Sequence, residues 1–575
     1  MFSRHFVRRL GTTASTARPG VGRRGSVLLA FAAGTAVGGL VLSSVSSPST
    51  VQSVSTSTTL TTTPTTTKPK PKEKNKTYDV PALLADLRAA LPLEHQVSTD
   101  AEILHAHGFS ENDYHPGSTP TVVVYPDSTE DVVGIVKVAR KHGIPVVTYG
   151  GGTSLEGHWR APKEGAISVD MSGMNRILAI HEADSDLVCQ PGIGWMDINA
   201  ELARRGIPLF FPIDPAPGAS IGGMVSTGCS GTNAVRYGTA KGEWFLSLTV
   251  VLPSGEVIKT RRRARKSSAG FDTTKLFVGA EGTLGIVTEV TLRLAPVLPT
   301  TVATVHFPDV RAATAAATAI VNSGAGIQCI ELVDDLFMRG TNIYNHPSVA
   351  LSPTSTIASN PHSASPVYPE RDALFIKLQG PSAHALAESA ALARSIAATH
   401  GGTDFRLARS DAEGHEMWRD RKNALYSGLA LGEEVLNKGG EGPPVRGWST
   451  DVCVPVSNLP ELVYETKKDI ERSGLVSTIV GHVGDGNFHA LLLFKDDADL
   501  ETAHALVSRM VNRAIALDGT CTGEHGVGIG KREYLVHELG PGTVKLMKTI
   551  KYALDPEGLF NPGKLYPDDE DGDEE

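Results

Sequence analysis

From Tyr78 onward the chain alternates short apolar runs with stretches whose apolar positions recur at helical spacing. Val122-Val123-Val124-Tyr125 is β-branched and aromatic and predicts a strand. Ser128-Thr129-Glu130-Asp131 reads as a helix start, a hydroxyl at the cap and a carboxylate three residues on. The helix carries Val132, Val133, Ile135, Val136 and Ala139 and stops at Gly143. A second strand, 144–149, completes a β-α-β unit and delivers the chain into Gly150-Gly151-Gly152-Thr153-Ser154. Such a turn exposes backbone N–H groups with little side-chain obstruction, a cradle for pyrophosphate, although a glycine triplet alone is also a plain tight turn.

Two more segments share that composition. Residues 214–233 are small side chains with hydroxyls interspersed, which form no ordinary hydrophobic element yet sit inside a globular stretch where a long bare loop is uncommon. A bulky ligand would supply the missing packing. Residues 279–287 lead into a strand at 287–294. None of the three is a Gly-x-Gly-x-x-Gly fingerprint or a Walker loop, which disfavours a Rossmann domain and a P-loop ATPase. From about residue 298, helical stretches at 311–321 and 383–399 alternate with strand-like runs at 374–378 and 490–494, the pattern of an α+β second domain. Residues 345–369 read as a surface insertion, and an amphipathic helix at 544–554 precedes Asn561-Pro562-Gly563-Lys564.

Composition adds boundaries. A chain of 575 residues, 41% hydrophobic and 20% charged, is ordinary globular protein but too long for one core. A net charge of -9 carries no broad nucleic-acid footprint, so no nucleic-acid partner is expected. The 5 cysteines are scattered with no Cys-x-x-Cys pair, which disfavours a disulfide scaffold and a thiolate zinc site. No acidic residue precedes Glu73, while Arg4, Arg8, Arg9, Arg18, Arg23 and Arg24 are interleaved with Ser, Thr, Ala and Leu. Residues 1–25 therefore predict a mitochondrial targeting segment. The uncharged stretch 26–45 is long enough to cross a bilayer as an inner-membrane anchor, or else belongs to an extended targeting segment that is cleaved away. Residues 46–77, rich in Ser, Thr, Pro and Lys, form a tether, and 568–575 an acidic tail. A basic N-terminus on the matrix side would place the catalytic part in the intermembrane space, although the lysines between 68 and 76 argue the other way.

The densest chemistry lies late in the chain, in Gly481-His482-Val483-Gly484-Asp485-Gly486-Asn487-Phe488-His489 and Gly523-Glu524-His525-Gly526. His482, His489 and Glu524 supply three candidate metal ligands and His525 a spare base. Alone, the two histidines also read as satisfied structural residues flanking a turn. Two imidazoles and one carboxylate suit zinc, manganese or iron, zinc or manganese being preferred here.

With these residues in place, the chain resembles the vanillyl-alcohol-oxidase/PCMH superfamily of FAD enzymes, and within it the cytochrome-linked D-lactate dehydrogenases. The resemblance runs from about residue 116 to 566 and rests on Tyr149-Gly150-Gly151-Gly152-Thr153-Ser154-Leu155-Glu156-Gly157-His158, Gly222-Gly223-Met224, Asn233-Ala234-Val235-Arg236-Tyr237-Gly238, the two histidine segments and Asn561-Pro562-Gly563-Lys564. Residues 261–270, Arg-Arg-Arg-Ala-Arg-Lys-Ser-Ser-Ala-Gly, look like fungal mitochondrial members.

It implies an α+β architecture. A two-subdomain PCMH-type FAD-binding domain (78–297) is followed by an α+β cap, the FAD-linked oxidase C-terminal domain (298–535), and a C-terminal helix (536–567) returning to the first domain. By that resemblance Gly150, Gly151, Gly152, Thr153, Ser154, Leu155 and Gly157, with Gly218, Ser220, Ile221, Gly222 and Gly223, hold the pyrophosphate. Ser226, Thr227, Gly228, Ser230, Gly282, Gly285, Ile286, Val287 and Asn561 line the flavin. The first glycine loop has no His before His158, so FAD is expected to be non-covalent.

The reaction implied is oxidation of D-lactate to pyruvate, with electrons passing to cytochrome c. The metal would chelate the substrate's carboxylate and hydroxyl, and His525 would take the proton. Arg419, in Trp418-Arg419-Asp420-Arg421-Lys422, would clamp the carboxylate, with Arg421 or Lys422 left to pair at the surface. Asn487 would orient substrate or bond the flavin edge. D-2-hydroxyglutarate or glycolate dehydrogenase, alkyl-glycerone-phosphate synthase and a flavin-free metal hydrolase are the competing readings.

Overall fold

The computed structural model describes residues 78–110, 113–346, 366–437 and 442–568. The expected targeting segment, the uncharged stretch 26–45, the tether and most of both the insertion 345–369 and the acidic tail lie outside them. Among the described residues no helix is long and apolar enough to cross a membrane.

The first sheet grows from the β-α-β unit. Ser128 caps the helix Thr129–His142, its side chain accepting from Asp131 N at 3.1 Å, and Gly143 closes it in the left-handed region. Val132, Ile135, Val136 and Ala139 form its buried face. The second strand is Val146–Tyr149, shorter than expected, since Pro145 has no N–H to give a ladder. The unit's two strands are not neighbours. Ile167–Asp170 lies between Val122–Val124 and Val146–Tyr149, parallel to both. The strand that points into the glycine turn is therefore at a sheet edge.

A five-stranded antiparallel sheet follows, in the order Ile177–His181, Asp186–Cys189, Ile286–Arg293, Phe245–Val251, Val257–Lys259. Its central strand is the one entered from the third glycine segment. The second glycine segment is not the bare loop its composition predicts. Ser220 caps a helix, Ile221–Thr227, that Gly228 ends at φ 67°. Ile221, Met224 and Val225 pack in the domain's own core, while Ser220, Gly222, Gly223, Ser226 and Thr227 face an open cleft.

The cap is built on a sheet of antiparallel strands ordered Thr403–Leu407, Thr300–His306, Ala373–Gln379, Ile327–Val333, Val476–Gly481, Asn487–Phe494, Arg446–Ser449. On one face pack Leu459–Ser473 and two helices whose alanines allow close approach, Val310–Val321 and Ala383–Thr399. Asp335–Asn345, Asp411–Lys422 and Ala424–Leu436 also contact this sheet. The last helix, Leu535–Leu554, starts earlier than expected and is kinked at Gly540, just before Pro541. Beyond it the chain lies on the first sheet, Val146 N donating to Leu559 O and Asn561 N to Val146 O, both at 2.8 Å.

Candidate active site

The hairpin of Val476–Gly481 and Asn487–Phe494 brings His482 and His489 together, with ring centroids 5.4 Å apart and planes 80° apart. The turn needs glycine at 486, where φ is 83° and a Cβ would stand 1.9 Å from Val454 O. Glu524 arrives on the loop after Asp497–Ala516, and its Oε1 lies 3.2 Å from both His482 Nε2 and His489 Nε2. Donors bound at about 2.1 Å to one tetrahedral ion stand roughly 3.4 Å apart, so Glu524 is spaced from each imidazole as one ligand from another. All three fall within 4.8 Å of one another.

Each imidazole's other nitrogen is held from behind. His482 Nδ1 stands 2.9 and 3.0 Å from the two oxygens of Glu331, and His489 Nδ1–H donates to Thr450 O at 2.8 Å. Ser230 Oγ donates to Glu524 Oε2 at 2.9 Å. Asp451 is a buried hub, its Oδ2 accepting from the backbone N–H groups of Glu524 and His525 at 2.9 Å each. The donor set and its backing thus fit a divalent ion. Burial disfavours charge on His482, yet Glu331 and Glu524 hold it well above the usual imidazole range. Burial likewise opposes Glu524's charge, and His482 and His489 still hold it well below the carboxylate range. His525 is pushed down to about 4, by burial first, only partly offset by Asp451. Its ring stacks 5.0 Å from that of His489, and its Nδ1 finds no partner among the described residues.

A cleft runs from the glycine segments to this cluster. Gly150, Gly151, Gly152, Thr153, Ser154, Leu155, Ser220, Gly222, Gly223, Ser226, Thr227, Gly285, Ile286, Val287 and Asn561 line it. Gly157, Gly218, Ile221, Gly228, Ser230 and Gly282 do not: Ile221 is core, Ser230 bonds Glu524, and the four glycines shape turns at positive φ. Trp159, also on the wall, has a buried indole N–H without a partner among the described residues. The walls of backbone and small hydroxyls fit a large planar cofactor with a pyrophosphate. His158, discounted by sequence as lying beyond the loop, is on the wall too, bonded to Ser154 and 3.3 Å from Glu281.

A second cavity, about 860 Å³, opens on the far side of the cluster. Thr153, Leu155, Pro215, Ala216, Glu524 and His525 belong to the walls of both. Arg419 lines the second cavity, about two-fifths exposed, and holds Glu416 with both Nη atoms. The surface pairing expected of Arg421 is corrected: it is buried, with Nη2 2.5 Å from Glu331 Oε2. Lys422 pairs across to Asp214 of the FAD-binding part at 3.2 Å. Asn487 is placed behind the cluster and off both walls, its Nδ2 donating at 2.8 Å to Asp451 and to Val452 O. Sequence reasoning missed Glu331, Asp451 and Lys377. Lys377 lines the cavity with its ammonium 5.6 Å from the Trp418 ring centroid, and among the described residues it forms no ion pair.

Comparison with known proteins agrees with this layout. Residues 120–261 match the family described as FAD binding domain, and 299–565 that described as FAD linked oxidases, C-terminal domain. The fold and site are those of an FAD-linked oxidoreductase. Among solved structures, p-cresol methylhydroxylase is similar at a TM-score of 0.65 and 16% identity, covering 85% of this chain and 97% of that one. A 4-ethylphenol oxidase from Gulosibacter chungangensis reaches 0.67 at 18% identity, covering 86% and 99%. At such identities the likeness is one of fold. The mitochondrial D-lactate dehydrogenase (cytochrome) of Arabidopsis thaliana is 42% identical over 83% of this chain and 78% of its own length. That of Saccharomyces cerevisiae, D-lactate dehydrogenase (cytochrome) 1, is 40% identical over 85% and 80%. The chain belongs to this family of FAD-dependent D-lactate dehydrogenases.

Proposed function

We propose that the protein oxidises D-lactate to pyruvate, with non-covalent FAD in the glycine-walled cleft and a divalent ion, zinc or manganese, on His482, His489 and Glu524. Electrons leave for cytochrome c at the mitochondrial inner membrane, with the catalytic part facing the intermembrane space. The observation that carries the chemistry is that Glu524 and His525 stand in the walls of both cavities, so substrate held at the cluster meets the cofactor cleft. Family membership supports the substrate class.

When bound, FAD supplies the hydride acceptor and the ion supplies Lewis acidity toward the substrate's hydroxyl and carboxylate. His525, neutral and in the walls of both cavities, takes the hydroxyl proton. Lys377 and Arg419 give the second cavity positive charge for a carboxylate. Asn487 serves by fixing Asp451, which in turn fixes the loop carrying Glu524 and His525.

A cavity of about 860 Å³ exceeds what lactate fills and favours, as a second reading, a longer acid such as D-2-hydroxyglutarate. Anaerobic mixing with D-lactate, L-lactate, glycolate and D-2-hydroxyglutarate separates the readings. D-lactate bleaches the flavin fastest at equal concentration, and subsequent addition of oxidised cytochrome c restores the yellow colour. Preference for another acid, or bleaching by L-lactate at the same rate, would refute the assignment.

A further inference from the structure

We infer that Glu331, braced by Arg421, is a positioning residue that selects the metal-binding tautomer of His482; the inference rests on the metal reading above. Glu331 lies in the middle of Ile327–Val333, a central strand whose residues are all buried, and is itself 1% exposed. A carboxylate persists at such a place only with strong partners. It has two: both oxygens reach His482 Nδ1, and Oε2 reaches Arg421 Nη2 at 2.5 Å. An apolar residue would serve the strand's packing at least as well, so the charge is explained by what it does to the imidazole.

A carboxylate at Nδ1 keeps the proton on that nitrogen. The proton an ion displaces is then the one on Nε2, the atom 3.2 Å from Glu524 Oε1 and aimed at the shared ligand position, and it is Nε2 that would offer its lone pair. The two imidazoles are not equivalent in this respect. His489 Nδ1 bonds a neutral carbonyl, Thr450 O, with the Asp451 carboxylate no nearer than 3.8 Å, whereas His482 Nδ1 is hydrogen-bonded by the Glu331 carboxylate itself and is the stronger donor of the two. The brace also ties the ligand to the cavity wall. Arg421 sits on Asp411–Lys422, the helix whose Arg419 lines the substrate cavity and whose Lys422 reaches Asp214.

Glu331→Gln keeps shape and an acceptor oxygen but removes the charge. In the full chain loaded with FAD, we expect flavin content close to the parent and a cooperative melting transition at a lowered temperature, since Arg421 loses its buried partner. Zinc or manganese affinity, read by competition with a chelator, should fall by about 10–100-fold. Arg421→Gln, which leaves Glu331 and His482 in place, should lower affinity in the same direction by a smaller factor, and it decides the matter if Glu331→Gln does not fold. Unchanged affinity in a flavin-loaded variant overturns the inference while leaving the metal reading intact. So does a loss of metal that comes only together with loss of flavin or of the melting transition. A parent protein that binds neither metal overturns both.

Discussion

A methyl group at position 151 would stand 2.1 Å from Gly218 O, so the first two glycine segments meet backbone to backbone under the cofactor cleft. Gly151→Ala should therefore part them and lower the flavin-to-protein ratio of the purified enzyme severalfold, with the cap's metal site unaffected. His525→Ala should keep both metal and flavin yet slow flavin reduction by roughly 10²–10⁴, the usual contribution of a positioned acid–base group. Lys377→Met should raise KM for D-lactate about 10-fold, the loss of one charge-assisted contact, with kcat little changed. An unaltered KM would remove Lys377 from the substrate's reach. The four residues of the cluster were legible in sequence because two short segments carry them all. Glu331 was not, because its partner His482 is 151 positions away and only folding joins them. In the run Ile327-Gln328-Cys329-Ile330-Glu331-Leu332-Val333 the one signal was a charge within an otherwise buried strand pattern.

At the level of elements, caps and periodicity were read closely: Ser128 and Gly143 bound their helix as expected, and Ala383–Thr399 appears with its predicted ends. What local pattern could not show was pairing order, since the strand Ile167–Asp170 that separates the β-α-β partners is brought in by the long loop after the glycine turn. Nor does a small-residue segment announce a helix such as Ile221–Thr227, whose buried residues are spaced by glycines. The closing turn offers a pH test. Lys564 is buried with its Nζ donating to the carbonyls of Arg160 and Pro562, and burial pushes it down to about 7. The unfolded chain holds that proton up to an ordinary lysine value near 10.5, so between these limits the unfolded state binds more protons and stability rises with pH. The contribution is largest above the upper limit and absent below about pH 7. Denaturant midpoints of the parent should climb from pH 7 toward 10, by up to about 1.4 kcal/mol per pH unit from this group. Lys564→Met should flatten that part of the slope; identical slopes would show that Lys564 titrates normally.

On the scale of the molecule, two parts of different build meet at the candidate site. The FAD-binding part supplies a cleft of backbone and small side chains, and the cap supplies imidazoles and carboxylates on a rigid hairpin. Lys422 with Asp214, and Ser230 with Glu524, join them beside the cluster. The α+β class and the division into a cofactor part and a cap were legible because the glycine segments precede the histidine segments without overlap. The sharing of Glu524 and His525 between two cavities was not, since it depends on how the parts dock. The most direct test uses that sharing. The flavin-loaded enzyme is stripped of metal with a chelator, mixed anaerobically with D-lactate, and followed by flavin absorbance before and after zinc or manganese is returned. The account predicts that the stripped enzyme stays yellow and bleaches once the ion is restored. Bleaching of the metal-free enzyme at the parent rate would contradict it.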